Sequence, residues 1–296
     1  MRAARLHELG GVPRVDEVEA PTGPDAVRVR AAALNPVDVA IGTGRFYGGS
    51  PPTPYVIGSE GIATTADGRR VWFRGSGAMA ERATAPPAQT VEVPDGVSDE
   101  LALACGIAGV TGWLAVAWRA PVRPDDVVLV LGASGVVGSA AVQGAKLLGA
   151  RRVVGAARSV AHVPAAADEV VELAGAYRFP EATLVVDALW GEPAERALAA
   201  AARGVRFVHL GQSAGPAASL QSAWVRGKVA DLLGHSVFAV PPEVIARGYR
   251  ELCEHVRAGR IHFEVERFGL DEVAAAWARQ AGGSPGAKVV VALAGS

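Results

Sequence analysis

The chain has few residues that could build a disulfide framework or a metal centre. Among its 296 residues only two are cysteines, Cys105 and Cys253, and they stand far apart without C-x-x-C spacing. The six histidines show no paired spacing of the kind that binds a metal ion. We therefore expect a protein of a reducing compartment that holds no metal.

Excess charge and a signal core are lacking as well. The formal net charge is -1, which argues against a nucleic-acid partner. The opening MRAARLHELGG contains no apolar signal core, so we expect a cytoplasmic protein. Residues 101–118 carry no charge over nearly the length of a membrane span. Their alanines and glycines suit close packing, and we expect a buried helix of a soluble protein rather than a membrane helix.

Residues 127–150 combine an apolar strand, a glycine-rich turn and a long helix of small residues. Ala133, Gly135 and Gly138 match G-x-G-x-x-G with alanine in the first place. Gly135 would let the backbone approach a pyrophosphate, and Gly138 would let the helix pack against the strand. The free amides of the first helical turn would bind the anion. The pattern predicts dinucleotide binding by the turn and by the start of the helix, namely Ser134, Gly135, Val136, Val137 and Gly138.

The next predicted strand, 152–156, should end beside the adenosine ribose, where an NAD-specific site usually carries an acidic residue. This chain has Arg158 and Ser159 there instead. A guanidinium and a hydroxyl suit a 2′-phosphate, so the sequence favours NADPH as the cofactor.

Two kinds of organisation follow each other along the chain. Short β-like runs punctuated by Gly and Pro fill the first hundred residues, the clearest at 26–32, 61–66, 70–73 and 90–93. Strands at 127–131, 152–156, 183–187 and 205–210 then alternate with helices, which predicts a doubly wound parallel sheet. Near the end we expect helices at 242–258 and 271–280, and a final strand at 288–293 that returns to the first domain.

Six further segments form a distinctive set: LNPVD from Leu34, GRFY from Gly44, PYVIGSEG from Pro54, GAMAE from Gly77, GIAGVT from Gly106 and GSPG from Gly283. With the glycine turn, they resemble the medium-chain dehydrogenase/reductase superfamily over nearly the whole chain. They look most like its zinc-independent NADPH:quinone oxidoreductase branch, the zeta-crystallin-like proteins.

The resemblance implies an α/β fold with a Rossmann doubly wound parallel sheet plus a β-rich GroES-like domain. The GroES-like catalytic and substrate domain would comprise residues 1–97 and 239–296, and the Rossmann domain residues 98–238. Ser59 and Asn35 occupy the positions of a histidine and a cysteine ligand in the zinc alcohol dehydrogenases, and neither is a good zinc ligand.

Without a Lewis acid, reduction of an activated acceptor is easier than oxidation of a simple alcohol. The resemblance suggests Asn35 and Tyr47 as donors to the oxygen that gains charge, with Tyr47 also a candidate proton donor. Family members often carry a tyrosine where this chain has Phe46, so a gap of one residue would be needed to align Tyr47. An aromatic wall of the cleft is an equally good reading of Tyr47.

The resemblance also implies further cofactor contacts. These are Thr111, Leu210, Gly211, Gln212, Leu233, Gly234 and His235. Trp190 could wall the cofactor cleft. Glu60 should serve structure, by pairing near Arg45 or by holding the glycine turn, and Asp38 should be a local cap. We expect a homodimer, with the run 205–210 as the partner surface.

The sequence thus favours an NADPH-dependent reductase of quinones or α,β-unsaturated carbonyls, with the acceptor held between the two domains. Two alternatives stay open. One is a biosynthetic enoyl reductase or cyclase on the same scaffold, and the other is a non-catalytic NADPH-binding redox sensor. The acceptor itself depends on loop shapes that the sequence does not give.

Overall fold

The structure is a computed structural model that describes residues 1–283 and 286–293. Ser284 and Pro285 of the GSPG segment lie outside the described residues. The strands are β1 (Arg2–Leu6), β2 (Arg14–Glu17), β3 (Ala26–Leu34), β4 (Tyr55–Val56), β5 (Glu60–Thr64), β6 (Arg70–Arg74), β7 (Arg82–Thr84), β8 (Thr90–Glu92), β9 (Val127–Leu131), β10 (Arg152–Ala157), β11 (Glu169–Glu172), β12 (Leu184–Asp187), β13 (Arg206–His209), β14 (Asp231–Gly234), β15 (Glu264–Gly269) and β16 (Ala287–Ala292).

The α-helices are α1 (Pro36–Gly42), α2 (Asp99–Ala104), α3 (Val110–Leu114), α4 (Val136–Leu147), α5 (Gly191–Ala200), α6 (Ser222–Gly227), α7 (Pro242–Arg257) and α8 (Val273–Ala281). Short 3₁₀ turns occupy Pro87–Gln89, Val160–His162, Val237–Ala239 and Leu270–Glu272. The segment Cys105–Gly109 follows α2 across a kink, because Gly106 has a non-helical backbone (φ −60°, ψ −141°), and the π-helical turn Ala115–Arg119 continues α3.

The chain forms two compact units. The first contains Met1–Ile107 and the described residues from Tyr249 onwards, and the second is Ala108–Gly248. The boundaries predicted from the sequence fell at 98 and 238 instead. One observed boundary follows directly after the kink at Gly106, and the other lies within α7.

The second unit is built on a six-stranded sheet in the order β11-β10-β9-β12-β13-β14, with every neighbouring pair parallel. Strand β9 lies at the centre and is buried along its whole length. One apolar cluster packs against Val128 and Val130, and a second packs against Leu129 and Leu131, because successive side chains of a strand point to opposite faces. The doubly wound parallel sheet expected from the sequence is therefore confirmed.

The first unit is rich in β structure. A three-stranded sheet has the order β2-β1-β4, and a larger sheet has the order β15-β16-β3-β5-β6-β8, with β7 also paired to β3. Strand β16 pairs antiparallel with β3, with Val289 opposite Leu34. The final strand thus returns to the unit that the first hundred residues build, as expected.

The helical segment Asp99–Arg119 is long and apolar enough to cross a membrane, but 83% of its most apolar window is buried inside the protein. It therefore belongs to the core.

Residues 205–210 were expected to form the partner surface of a homodimer. They do not form an exposed strand edge, because β13 is hydrogen-bonded to β12 on one side and to β14 on the other. Among the described residues, β14 is the edge strand at this end of the sheet.

Candidate functional site

The glycine turn, residues 132–138, connects the end of β9 to the start of α4. Gly135 is the N-cap residue with an extended backbone (φ −85°, ψ 164°), and the Ser139 amide donates to its carbonyl oxygen at 2.7 Å. The amides of Val136, Val137 and Gly138 precede that bond and have no acceptor within the helix. Backbone donors and the positive end of the helix dipole therefore meet at one place, which suits an anion.

Steric constraints differ sharply within the turn. A Cβ on Gly138 would lie 2.2 Å from the Gly132 carbonyl oxygen, so only glycine lets α4 approach β9 this closely. A Cβ on Gly135 would meet nothing nearer than that same oxygen at 3.7 Å. Gly138 therefore serves packing, and Gly135 leaves space outside the turn. The geometry leaves room for the pyrophosphate contact that the sequence predicts, and Ser134 lies in the same turn.

Arg158 and Ser159 follow the end of β10, which pairs with β9. Arg158 is exposed, and Ser159 is half-buried at the start of a 3₁₀ turn. Because parallel strands end at the same edge of the sheet, the guanidinium belongs to the edge that carries the glycine turn.

Thr111, Gly234 and His235 come together in the second unit although they are more than a hundred residues apart. His235 Nε2 and the Thr111 carbonyl oxygen are 3.2 Å apart, and Arg119 Nε donates to the Gly234 carbonyl at 2.9 Å. Burial lowers the pKa of His235 to about 4, so its ring is neutral at pH 7. Leu233 precedes them at the end of β14.

A buried aspartate and a histidine end the neighbouring strands β12 and β13. Asp187 Oδ2 lies 3.0 Å from His209 Nδ1, and Asp187 Oδ1 accepts hydrogen bonds from the Leu189 and Trp190 amides, each at 2.9 Å. The Trp190 ring lies 4.1 Å from the His209 ring, centroid to centroid. This pair was not predicted from the sequence, although its signal was available, since both residues end apolar runs that alternate with helices.

Leu210, Gly211 and Gln212 continue directly from β13. The Leu210 amide donates to the Asp187 carbonyl at 2.9 Å. A Cβ on Gly211 would lie 2.8 Å from the Ala188 carbonyl oxygen, so glycine allows the two loops to touch. The predicted nicotinamide segment is thus fixed against the loop that follows β12.

In the first unit Asn35 belongs to what we name the Glu60 network: Asn35, Glu60, Trp72, the Ile107 amide and Lys288. Lys288 Nζ donates to Asn35 Oδ1 at 2.5 Å and to Glu60 Oε1 at 2.8 Å, and Asn35 Nδ2 donates to Glu60 Oε1 at 2.9 Å. Trp72 Nε1 and the Ile107 amide donate to Glu60 Oε2 at 2.8 and 2.7 Å. The expected pairing of Glu60 near Arg45 is wrong, because the buried ammonium of Lys288 takes that role.

Asp38 and Ser59 lie next to this network. Asp38 Oδ2 accepts from the Asn35 amide at 2.7 Å, which confirms the expected local cap of α1, and Ser59 Oγ donates to Asp38 Oδ1 at 2.6 Å. Burial, with a smaller contribution from Glu60, raises the pKa of Asp38 to about 6 against the hydrogen bonds that lower it. The Tyr55 hydroxyl is the one buried side-chain polar atom within residues 1–283 and 286–293 that has no hydrogen-bond partner.

Tyr47 is placed differently from Asn35. Its side chain is 80% exposed, and its ring packs on Phe46 with the centroids 4.5 Å apart. The two predicted donors therefore differ in setting, one inside a buried hydrogen-bond network and the other at the surface. Within the described part of the chain, no group of three or more His, Cys, Asp or Glu side chains is placed to hold a metal ion.

No family model matches the chain. It is 30% identical to a phenolphthiocerol/phthiocerol polyketide synthase protein of Mycobacterium tuberculosis, over 98% of this chain and 14% of that protein. It is 33% identical to the human quinone oxidoreductase over 50% of each chain. The chain thus spans about a seventh of the first relative and half of the second.

Solved structures match over the full length. The quinone oxidoreductase of Thermus thermophilus, solved also as its complex with NADPH, superposes with a TM-score of 0.84 at 26% identity, covering 99% of this chain and 100% of that one. The likeness includes the parallel sheet and the β-rich unit.

Proposed function

Because the chain belongs to the medium-chain dehydrogenase/reductase superfamily and is similar to its quinone oxidoreductases, we propose that it reduces a quinone or an α,β-unsaturated carbonyl with NADPH, without a metal ion. The observation that carries this proposal is the glycine turn, in which three helix amides converge beside an open Gly135. The NADPH complex of the Thermus thermophilus relative supports the same cofactor here.

The chain's own residues supply a binding surface for this cofactor. The amides of Val136, Val137 and Gly138 would hold the pyrophosphate, and Arg158 with Ser159 would bind the 2′-phosphate. NADPH, when bound, supplies the hydride. Thr111, Gly211 and His235 lie on segments that the family resemblance assigns to the nicotinamide side.

Reduction of an enone or quinone places negative charge on an oxygen, which then takes a proton. Asn35 keeps one Nδ2 hydrogen that neither Glu60 nor Lys288 uses, and the Tyr47 hydroxyl can exchange its proton with solvent because the side chain is exposed. We assign stabilisation of the oxygen to Asn35 and delivery of the proton to Tyr47 or to solvent. Ser59 and Asn35 are engaged with Asp38, Glu60 and Lys288, which supports chemistry without zinc.

A second candidate function is reduction of an enoyl intermediate in biosynthesis. The specific observation in its favour is the alignment of 98% of this chain with a segment of a polyketide synthase. A quinone and an enoyl thioester are both conjugated carbonyl compounds that accept a hydride, so the two candidate functions differ in the acceptor.

The test is fluorescence titration of the chelator-treated protein with NADPH and NADH, followed by turnover with a quinone, an enone and an enoyl thioester. We expect Arg158→Ala to weaken NADPH binding about tenfold or more, because a charge-assisted hydrogen bond is lost, and to leave NADH binding unchanged. Arg151→Ala, an exposed arginine before β10, is the matched control. Equal loss of both cofactors, or no binding of either, would contradict the proposal.

A further inference from the structure

The segment 188–190 lies between two predicted cofactor-binding segments. Strand β12 pairs with β9 and with β13, so Asp187 stands opposite both Leu131 and His209. A Cβ on Gly132 would touch Leu189 Cδ2 at 3.2 Å, and the Ser213 and Ala214 amides donate to the carbonyls of Ala188 and Leu189. A dinucleotide that runs along the carboxyl edge from the glycine turn to Gly211 therefore passes this segment.

His209 is held in one tautomer at this place. A carboxylate can only accept, and Asp187 has no exposed side-chain surface, so His209 Nδ1 must carry the proton that it shares with Asp187 Oδ2. In the neutral ring Nε2 is then an acceptor with a fixed direction. The side chain of His209 keeps 34% of its surface exposed, so a ligand can reach the ring.

The backbone conformation of Trp190 is a second indication of a binding site here. Its φ of 58° lies in the left-handed region, which a bulky residue adopts only when its surroundings enforce it. Here the enforcement comes from Asp187 Oδ1, which accepts the Trp190 amide, and the result is an indole ring placed against the imidazole. Backbone strain of this kind concentrates at binding sites.

We propose that His209, oriented by Asp187 and covered by Trp190, binds the nicotinamide half of the dinucleotide, with Nε2 accepting a hydrogen bond from a ribose hydroxyl. This inference rests on the proposed function. His209 would contact the cofactor directly, whereas Asp187 is a positioning residue that acts through the imidazole tautomer.

Four variants separate the parts of the site. His209→Asn keeps a donor near the Nδ1 position and loses the distal acceptor, whereas His209→Gln places an amide oxygen near Nε2. Asp187→Asn keeps an oxygen for the Leu189 and Trp190 amides but offers N–H to the ring, which moves the imidazole proton to Nε2. His7→Asn is the control, because His7 pairs with Asp16 at 2.6 Å in the first unit and is also 34% exposed.

The experiment is titration of each variant with NADPH and with 2′,5′-ADP, which carries the adenine half alone. We expect His209→Asn and Asp187→Asn to weaken NADPH binding about tenfold and to leave 2′,5′-ADP binding unchanged, because only the nicotinamide ribose loses its partner. His209→Gln should recover most of the affinity, and His7→Asn should match the wild type.

Two results would overturn the inference while leaving the proposed function intact: unchanged NADPH binding in both variants, or a parallel loss of NADPH and 2′,5′-ADP. Failure of the wild type to bind either nucleotide would instead remove the proposed function, and this inference with it. Circular dichroism melting of each variant separates loss of folding from loss of the contact.

Discussion

The glycine turn of the second unit and the Glu60 network of the first unit both place polar groups among apolar neighbours, but they differ in what they leave available. In the turn, the amides of residues 136–138 have no acceptor inside the helix, and Gly135 faces open space. In the network, both carboxylate oxygens of Glu60 accept two donors each, and Lys288 is almost fully buried. A ligand can complete the first arrangement, whereas the Glu60 carboxylate at the centre of the second already has all four of its hydrogen bonds.

This contrast separates binding from stability. Backbone amides that meet at a helix start cost little while they face solvent, and they gain when an anion arrives. A buried carboxylate and ammonium have lost their hydration and depend on each other. We therefore expect loss of the Lys288 charge to act on folding and obstruction of the space beside Gly135 to act on the cofactor.

Removal of Lys288 should give the largest effect. Lys288→Met leaves Glu60 charged and buried with its main counter-ion gone, and we expect a loss of about 3–5 kcal/mol in the free energy of unfolding. Urea denaturation measures it. Lys146→Met is the control, since Lys146 and Asp168 form an exposed pair whose loss should cost at most about 1 kcal/mol. Equal losses in the free energy of unfolding for the two substitutions would contradict a special role of the buried network in stability.

The pH dependence of stability should distinguish Asp38 from an exposed aspartate. Its pKa is raised from 3.8 to about 6 in the folded protein, so the native state binds the proton more tightly than the unfolded chain. Stability from this group therefore rises as pH falls from about 6 towards 4, by up to about 3 kcal/mol. Asp38→Asn should flatten this part of the profile.

The pKa of Asp67 is shifted in the opposite direction to that of Asp38. Hydrogen bonds from Thr65 and Arg69 lower its pKa, so the ionised form is favoured in the fold. Replacement of this exposed residue, Asp67→Asn, should leave the rise below pH 6 in place. Measurement of urea midpoints from pH 4 to 7 for both variants is sufficient, and a rise that survives in Asp38→Asn would assign it to another group.

Two alanine substitutions within the glycine turn should separate its role in helix packing from its role in cofactor binding. Gly138→Ala forces a methyl group against the Gly132 carbonyl, and we expect about 1–3 kcal/mol of destabilisation. Gly135→Ala meets no close atom, so stability should hold while the added methyl obstructs the pyrophosphate and weakens NADPH binding. Gly227→Ala, at an open position, should change neither property. Loss of stability in Gly135→Ala would argue that this glycine also serves packing.

The features that the sequence predicted well depend on local patterns. Strand β9 was predicted with its observed ends, Val127 and Leu131, because a buried central strand is a continuous apolar run bounded by a polar entry and a glycine turn. Strand β11 (EVVE) was not predicted, since it is a short edge strand with mostly exposed residues and carries no such run. The glycine turn is equally local, so its backbone chemistry could be inferred from spacing alone.

Side-chain partners over long distances could not be predicted in the same way. Glu60 and Lys288 are 228 positions apart and meet because β5 and β16 both pair with β3. Nothing in the sequence near Glu60 distinguishes Lys288 from Arg45 as its partner. The pairing of Asp187 with His209 likewise depends on the register between β12 and β13, which apolar patterns specify only loosely.

The return of β16 to β3 also sets an order of events during synthesis. The second unit lies between the two halves of the first, so the ribosome finishes it before the final strand exists. At about 5–20 residues per second, Lys288 emerges roughly ten to fifty seconds after Glu60. During that interval Glu60 has no ammonium partner, and a nascent first unit that closed early would bury an uncompensated carboxylate. The buried ion pair between Glu60 and Lys288 therefore forms only after translation has passed residue 288.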